Sequence, residues 1–215
     1  DEELQPYCDT ICREEGVAFM RSILGEPMLP IEAYLHPEIK SHLQVFGIPL
    51  THTAMVFAGL GCSNGCDFCC TSHFFKQKHI KLLLSGAAIF DVMDKYKNGY
   101  PNMEYTILDE DFLLDKERAS NFLDLCRKEN KTFSTFCFAS VKAISRYTFD
   151  ELLEMGIDGI WIGYEGKQSG YSKQQGNDID QLIRDMQDHG ITVLTSMIIG
   201  IPYQTDKIVR KEFSD

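Results

Sequence analysis

The sequence predicts an α/β fold built on parallel strands. Apolar, β-favouring runs alternate along the chain with segments of helical period, which is the order of strand-helix-strand units. After the second run, successive runs start roughly 25 to 33 residues apart, about the length of one such unit. Five strands are too few for a closed eight-stranded barrel. The pattern therefore predicts either a partial barrel or an open sheet, with right-handed crossovers.

The predicted strands and helices follow one another from residue 54 onward. The strand candidates are 54–60, 104–109, 133–140, 158–164 and 191–199, and the helix candidates are 85–97, 115–129, 148–155 and 177–189. Thr148 and Glu151 match a capping box, and Gly156 and Gly190 stand where a glycine would end a helix. A fifth helix begins near Thr205, so we expect the fold to be cut after about five strands.

Residues 1–50 follow a different pattern and are predicted to be a linker region. Val17 to Leu24 indicates a short helix closed by Gly25. A connector with prolines follows, and then a second helix-like piece that ends at Gly47. We therefore divide the chain into a linker over 1–50 and a core over 51–215 whose C-terminal end is incomplete.

Composition narrows the expected partners and location. The 215 residues carry a net charge of −11, which repels phosphate backbones, so nucleic acid is not an expected partner. The sequence has no long apolar run and no signal-peptide pattern at its start, so we expect no membrane partner and a cytoplasmic protein. The eight cysteines are concentrated locally rather than spread through a loop-rich chain, which also favours a reducing compartment.

The stretch GCSNGCDFCC, residues 61–70, is the most informative part of the sequence. Cys62, Cys66 and Cys69 form a C-x3-C-x2-C pattern, and Gly61 and Gly65 permit the tight loop that a bulky metal centre requires. The stretch follows the first predicted strand, and ligands of parallel α/β folds bind at the carboxyl ends of the strands. The other strand ends bring polar or small residues to the same edge: Asp109, Glu110, Asp111, Ser140, Glu165 and Gly200.

Three thiolates at this spacing leave more than one kind of metal centre open. A structural zinc site normally uses four ligands in two separated pairs, so zinc would need an outside ligand such as His73. A ferredoxin-type run would show C-x2-C-x2-C with a fourth cysteine further along. A four-iron cluster held by three cysteines, with one iron open to another ligand, is the third option. The residues thus predict either a catalytic metal centre or a non-catalytic zinc or iron–sulfur module.

The C-x3-C-x-aromatic-C motif, with Phe68 as the aromatic residue, resembles that of the radical S-adenosylmethionine (radical SAM) enzymes. The resemblance covers roughly residues 50 to 213. It implies a partial (β/α)6 TIM-like barrel and a [4Fe-4S] cluster on Cys62, Cys66 and Cys69. It also implies an enzyme that cleaves S-adenosylmethionine (SAM) reductively at the open iron. The resulting 5′-deoxyadenosyl radical would act on a small-molecule substrate, with an external electron donor of the flavodoxin or ferredoxin type.

The resemblance also implies residues that contact the cofactor. Residues 109–111 stand where the family holds the methionine amino group, and Glu110 is the preferred candidate. Glu165 stands at the position of a fourth-strand acid. The fifth-strand motif of the family is matched at two positions only, because Ser196 and Tyr203 depart from it. The predicted cofactor residues are Phe68, Asp109, Glu110, Ser140, Glu165, Ile198 and Gly200.

A narrower resemblance rests on the runs GCSNGCDFC, LDEDFLLDKERA and IWIGYEG with the upstream run CDTICREEGVAFMRSILGE. These look like radical SAM proteins that carry a cobalamin-binding domain before the barrel, so that residues 1–50 would include the tail of that domain. Many such proteins use cobalamin to transfer methyl groups to unactivated carbons or to rearrange carbon skeletons. The chain has no D-x-H-x-x-G signature, so cobalamin is a hypothesis about the full-length protein.

Several remaining residues are interpreted as structural. Three cysteines are predicted to be small buried side chains, namely Cys70, Cys126 and Cys137. His73 and His79 are predicted to lie on the surface or in linkers. Four aromatic residues are predicted to fill the core: Phe133, Phe136, Phe138 and Trp161.

Tyr171 and the loop 166–176 are candidates for substrate contact.

Overall fold

A computed structural model describes residues 3–45, 48–100, 102–166, 170–171 and 178–214. The strands in these ranges are β1 (Ile39–Val45), β2 (Ile48–Phe57), β3 (Gly59–Leu60), β4 (Ile80–Lys81), β5 (Met103–Leu108), β6 (Ser134–Phe138), β7 (Ile157–Gly163) and β8 (Thr192–Ser196). Six of them form one sheet in the order β1-β2-β5-β6-β7-β8. The short strands β3 and β4 form a separate antiparallel pair.

The main sheet is parallel from β2 to β8. Its strand order follows the chain order, so each crossover adds the next strand at the same edge, as in a TIM-like barrel. This confirms the predicted α/β fold and its partial-barrel form. The expectation of an entirely parallel sheet is wrong at one edge, because β1 pairs antiparallel with β2.

Strand β1 also replaces the second helix-like piece that the sequence predicts before Gly47. The apolar residues at 39, 43 and 45 alternate with polar residues at 40, 42 and 44. This period of two suits a strand at the edge of a sheet better than a helix. Gly47 itself lies outside the described residues.

The helices are α1 (Gly16–Ile23), α2 (Cys70–Phe74), α3 (Gly86–Gly99), α4 (Lys116–Glu129), α5 (Val141–Ile144), α6 (Phe149–Glu154), α7 (Ile179–Asp188) and α8 (Asp206–Ser214). The predicted helices are confirmed to within one or two residues, except that residue 177 lies outside the described part of the chain. Gly156 and Gly190 follow α6 and α7 with φ of +77° and +81°, as the sequence predicts. Within the described ranges, no helix is long and apolar enough to cross a membrane.

The contact between α3 and α4 fixes the position of the first turn of α4. A Cβ atom on Gly86 would lie 2.2 Å from the backbone nitrogen of Phe122 and 2.4 Å from the carbonyl oxygen of Arg118. Only glycine permits the two helix backbones to approach this closely. Phe122 then packs among the rings of Phe90 and Phe133 beneath the sheet. Arg118 is thereby held next to the loop that carries the cysteines.

The capping box at the start of α6 supports one prediction on stability. The Thr148 hydroxyl accepts a hydrogen bond from the Glu151 backbone N–H, and the Glu151 carboxylate accepts one from the Thr148 N–H. We expect Thr148→Ala to lower the free energy of unfolding by about 1 kcal/mol, because a helix N–H then lacks its partner. Urea denaturation measures this, and an unchanged midpoint would show that the cap contributes nothing.

Candidate functional site

The cysteine loop, defined here as residues 61–79, lies at the carboxyl end of the parallel strands. A cavity of about 230 Å³ opens there, between this loop and the ends of strands β5 to β8. All three cysteines of the C-x3-C-x2-C motif line it. The other residues that surround the cavity come from the neighbouring loops and strand ends: Asn64, Gly65, Phe68, Ser72, Glu110, Asp111, Phe138, Ala139, Ser140, Trp161, Gly163, Glu165 and Ser196.

The three thiols lie close enough to influence one another. Burial raises the pKa of the Cys62 thiol to about 11, and Asp111, Cys66 and Cys69 add to this rise. Cys66 is 8% exposed, whereas Cys62 and Cys69 are half-buried. Without a cation, Cys62 is therefore protonated at neutral pH. A metal centre that binds its sulfur would have to displace this proton.

Hydrogen bonds within the cysteine loop define its shape around the sulfur atoms. The Asn64 N–H donates to Cys62 Sγ at 3.4 Å, and the Ser72 N–H donates to Cys69 Sγ at 3.5 Å. The Ser72 hydroxyl donates to the Cys62 carbonyl at 2.9 Å. Gly61 adopts φ of +75°, and a Cβ atom there would lie 2.3 Å from the Lys78 carbonyl oxygen. These contacts direct N–H donors at two of the three sulfur atoms.

The described side chains of the cysteine loop do not form a site for a single metal ion. Across the described part of the chain, no three Cys, His, Asp or Glu side chains come together closely enough to hold one metal ion. His73, the outside ligand that a zinc site would need, is exposed on α2. A polynuclear cluster differs in this respect, because each sulfur binds a separate iron. Soft thiolate ligands suit such clusters.

Asp111 connects the cysteine loop to the end of β6. Its carboxylate accepts hydrogen bonds from the Asn64 side-chain amide at 2.9 Å and from the Ser140 backbone N–H at 3.1 Å. Burial raises the pKa of this carboxyl, although the bonds from Ser140 and Asn64 oppose the rise. Ser140 itself caps α5, since its hydroxyl accepts a hydrogen bond from the Ala143 N–H. Glu110, by contrast, is exposed and lines the cavity.

Asp109 does not line the main cavity. It lines a smaller neighbouring cavity of about 150 Å³ together with Cys62 and His79. Its carboxylate is buried, forms an ion pair with Arg118 and lies within hydrogen-bond distance, 3.1 Å, of His79 Nε2. Burial opposes ionisation, yet the contacts with His79 and Arg118 hold the pKa of Asp109 below its usual value. His79 lies in the loop before β4, as predicted, but its side chain is only 19% exposed and contacts Asp109.

Glu165 follows β7 in a backbone conformation that is unusual for a residue with a side chain. Its φ is +57°, and its side chain is buried at the wall of the cavity. Such conformations cost energy and cluster at functional sites. The Glu165 N–H donates to the Ser196 carbonyl at 3.2 Å, and the Tyr203 hydroxyl donates to the Glu165 carbonyl at 3.3 Å. The end of β7 is thus fixed from both sides.

Ile198 and Gly200 lie in the loop after β8 and do not line the cavity. The Gln204 side chain holds this loop, accepting a hydrogen bond from the Gly200 N–H at 2.8 Å and donating one to the Ile198 carbonyl at 2.9 Å. Ser196, which departs from the family motif, does line the cavity. Strand β8 therefore reaches the site through Ser196.

Solved structures share this fold. Two of them are structures of the radical SAM methyltransferase TsrM from Kitasatospora setae. One, with tryptophan substrate and the SAM analog aza-SAM bound, has a TM-score of 0.61 at 14% identity and covers 75% of this chain. The other, with cobalamin and a [4Fe-4S] cluster bound, has a TM-score of 0.60 at 15% identity and covers 74% of this chain.

The chain shares the fold of these radical SAM structures. It spans about a third of TsrM, 33% and 31% of the two chains. No family model matches the sequence, and no curated protein does. At this low identity the likeness shows the fold alone.

Within this fold, two aromatic residues belong to the site rather than to the core. Trp161 is 39% exposed, stacks on Phe138 at 5.6 Å between ring centroids, and lines the cavity with it. Their assignment to the core is wrong, because side chains alternate along β6 and β7 and these two point into the partial barrel. Phe133 is buried as predicted, and Phe136 is half-buried. Alternation within β7 is the signal that could have identified Trp161.

The remaining predictions have mixed outcomes. Cys126 and Cys137 are buried as predicted, whereas Cys70 is exposed at the first turn of α2, so its prediction is wrong. Tyr171 contacts the cysteine loop: its hydroxyl donates to Asp67 at 2.6 Å and its ring meets Phe68 edge-on. The other parts of the predicted substrate loop, residues 167–169 and 172–176, lie outside the described residues.

Proposed function

We propose that this chain is the core of a radical SAM enzyme, with a [4Fe-4S] cluster on Cys62, Cys66 and Cys69 and SAM beside it. One observation carries the proposal: the three thiols of the C-x3-C-x2-C motif line a single cavity at the carboxyl ends of the strands of a radical SAM fold. Soft thiolates favour iron–sulfur chemistry, and three protein ligands leave one iron open. When bound, such a cluster supplies one electron to SAM, whose sulfur–C5′ bond then breaks.

The lining of the cavity suits the charge and shape of SAM. SAM carries two positive groups, an ammonium and a sulfonium, and one carboxylate, so its net charge is positive. Glu110 and Glu165 supply carboxylates at the cavity wall. The stacked pair Phe138 and Trp161 offers an apolar face for a planar base. We propose that Glu110 binds the ammonium group, because it is the exposed acid of the 109–111 run, whereas Asp109 is held by Arg118.

This role predicts a binding defect in a Glu110 variant. We expect Glu110→Gln to weaken SAM binding by about 10- to 100-fold, because a hydrogen bond between charged groups contributes about 1.5–3 kcal/mol. Isothermal titration calorimetry on anaerobically reconstituted protein measures the dissociation constant. Glu117→Gln, the same change at an exposed position on α4, is the control. Equal affinity in both variants would remove Glu110 from the site.

The proposed chemistry is tested by its product. Reconstituted protein, dithionite and SAM are incubated without oxygen, and 5′-deoxyadenosine is measured by chromatography. We expect its formation to depend on Cys62, Cys66 and Cys69. A protein that binds metal but leaves SAM intact would instead be a non-catalytic metal-binding module.

The activity of the whole protein is a wider proposal. TsrM is a methyltransferase, and one of its two structures contains cobalamin and a [4Fe-4S] cluster. The shared fold supports cobalamin-dependent methyl transfer as the reaction class for the full-length protein. We propose a small-molecule substrate, a flavodoxin- or ferredoxin-type electron donor and a cytoplasmic location. Methylcobalamin bound to the full-length protein, detected by its absorption spectrum, tests the cofactor directly.

A further inference from the structure

The two ends of the cysteine loop meet in a narrow neck, defined here as residues 58–60 and 80–83. Strands β3 and β4 flank the loop and pair antiparallel, with Gly59 opposite Lys81 and Leu60 opposite Ile80. The Ala58 carbonyl, just before β3, accepts hydrogen bonds from the N–H groups of Leu82 and Leu83, just after β4, at 3.0 and 3.1 Å. All three cysteines of the motif therefore lie on a loop whose position depends on this neck.

Arg118 enters the neck from helix α4. Its guanidinium donates to the Ala58 carbonyl at 3.1 Å and to the Leu83 carbonyl at 3.4 Å, so it binds the chain on both sides of the loop. Its side chain is 1% exposed. The fork of donors in a guanidinium suits this task, since one side chain can satisfy two carbonyls and a carboxylate together.

Asp109 and His79 complete the network. The Asp109 carboxylate pairs with Arg118 and with the imidazole of His79, the last residue of the cysteine loop. The Asp111 N–H donates to the same carboxylate at 3.3 Å. A Cβ atom on Gly59 would lie 2.4 Å from His79 Nε2 and 2.5 Å from Asp109 Oδ2, so only glycine allows the imidazole and the carboxylate to meet over the neck.

We propose that Arg118, Asp109 and His79 form a clamp that positions the cysteine loop for metal binding. Asp109 thereby acts through the loop as a positioning residue rather than by contacting the cofactor. The clamp acts on the protein backbone and exists without a metal; its effect on a cluster rests on the function proposed above. Because none of the three clamp residues is among the proposed ligands, loss of the clamp should alter the order of the loop while the three cysteines remain in the chain.

Hydrogen exchange of the metal-free chain tests the clamp, because exchange rates report local opening. We expect His79→Ala to accelerate exchange in peptides from residues 61–79 by at least about tenfold, with the sheet strands unchanged. His79→Gln keeps a side-chain donor and should recover part of the protection. Lys78→Ala changes the exposed neighbouring residue and is the control, with an expected change below about twofold.

Reconstituted protein provides the second readout. In His79→Ala we expect faster loss of iron to a chelator and altered g-values in the electron paramagnetic resonance (EPR) spectrum of the reduced cluster, both partly restored in His79→Gln. The clamp is refuted if His79→Ala exchanges like Lys78→Ala, or if exchange rises equally across the whole sheet. If no variant binds iron while the exchange pattern holds, the clamp stands and the proposed function fails.

Discussion

Cys66→Ala is expected to reduce the iron content of the reconstituted protein from about four atoms per chain to fewer than one. Cys66 is the middle ligand of the proposed set and the most buried of the three thiols, so no solvent ligand can readily replace it. With only two thiolates left, the cluster loses a ligand on a second iron. Iron and acid-labile sulfide are measured on protein reconstituted without oxygen, together with the absorption near 400 nm that thiolate–iron charge transfer gives.

Cys70→Ser is the matched control for this experiment. Cys70 lies next to Cys69 in the sequence, but its side chain is exposed on α2 and does not line the cavity. We expect the Cys70→Ser protein to keep its full iron content. Equal losses in both variants would mean that the stretch binds metal without the ligand set proposed here, and retention in both would exclude Cys66 as a ligand.

The second large effect is expected at Arg118. Arg118→Met should lower the free energy of unfolding by about 3–5 kcal/mol, because it leaves the buried Asp109 carboxylate without its cationic partner. It also removes the donor to the Ala58 and Leu83 carbonyls. Urea denaturation followed by circular dichroism measures the change.

Arg127→Met on the same helix is the control for Arg118→Met. Arg127 pairs with Glu154, but the two side chains are 48% and 46% exposed, so solvent screens the pair. An exposed pair of this kind contributes about 0–1 kcal/mol. If the two variants were equally stable, the buried network around Asp109 would not hold the neck of the cysteine loop.

The sequence predicts the parallel sheet and the location of the cysteine loop well, for a physical reason. Buried strands and amphipathic helices have different periods, and the strand-end rule then locates the cysteines at the open edge of the sheet. Strand β1 was missed because its period of two covers only seven residues, four of them polar. Its pairing with β2 is what identifies residues 39–45 as a strand.

Local sequence patterns do not predict contacts between distant parts of the chain. Arg118 lies within a well-predicted helix, yet nothing in that helix indicates that it binds Asp109 and the neck beside His79. The stacking of Trp161 on Phe138 likewise depends on the register between β6 and β7. Such side chains are identified only when the fold brings separate segments together.

The central claim is that three thiolates hold an iron–sulfur cluster with one iron free to bind SAM. EPR spectroscopy of the reduced, reconstituted protein tests it most directly, with and without saturating SAM. The account predicts the signal of a [4Fe-4S] cluster whose g-values shift when SAM is added and return when SAM is removed. A protein without iron, or a cluster signal that SAM leaves unchanged, would contradict it.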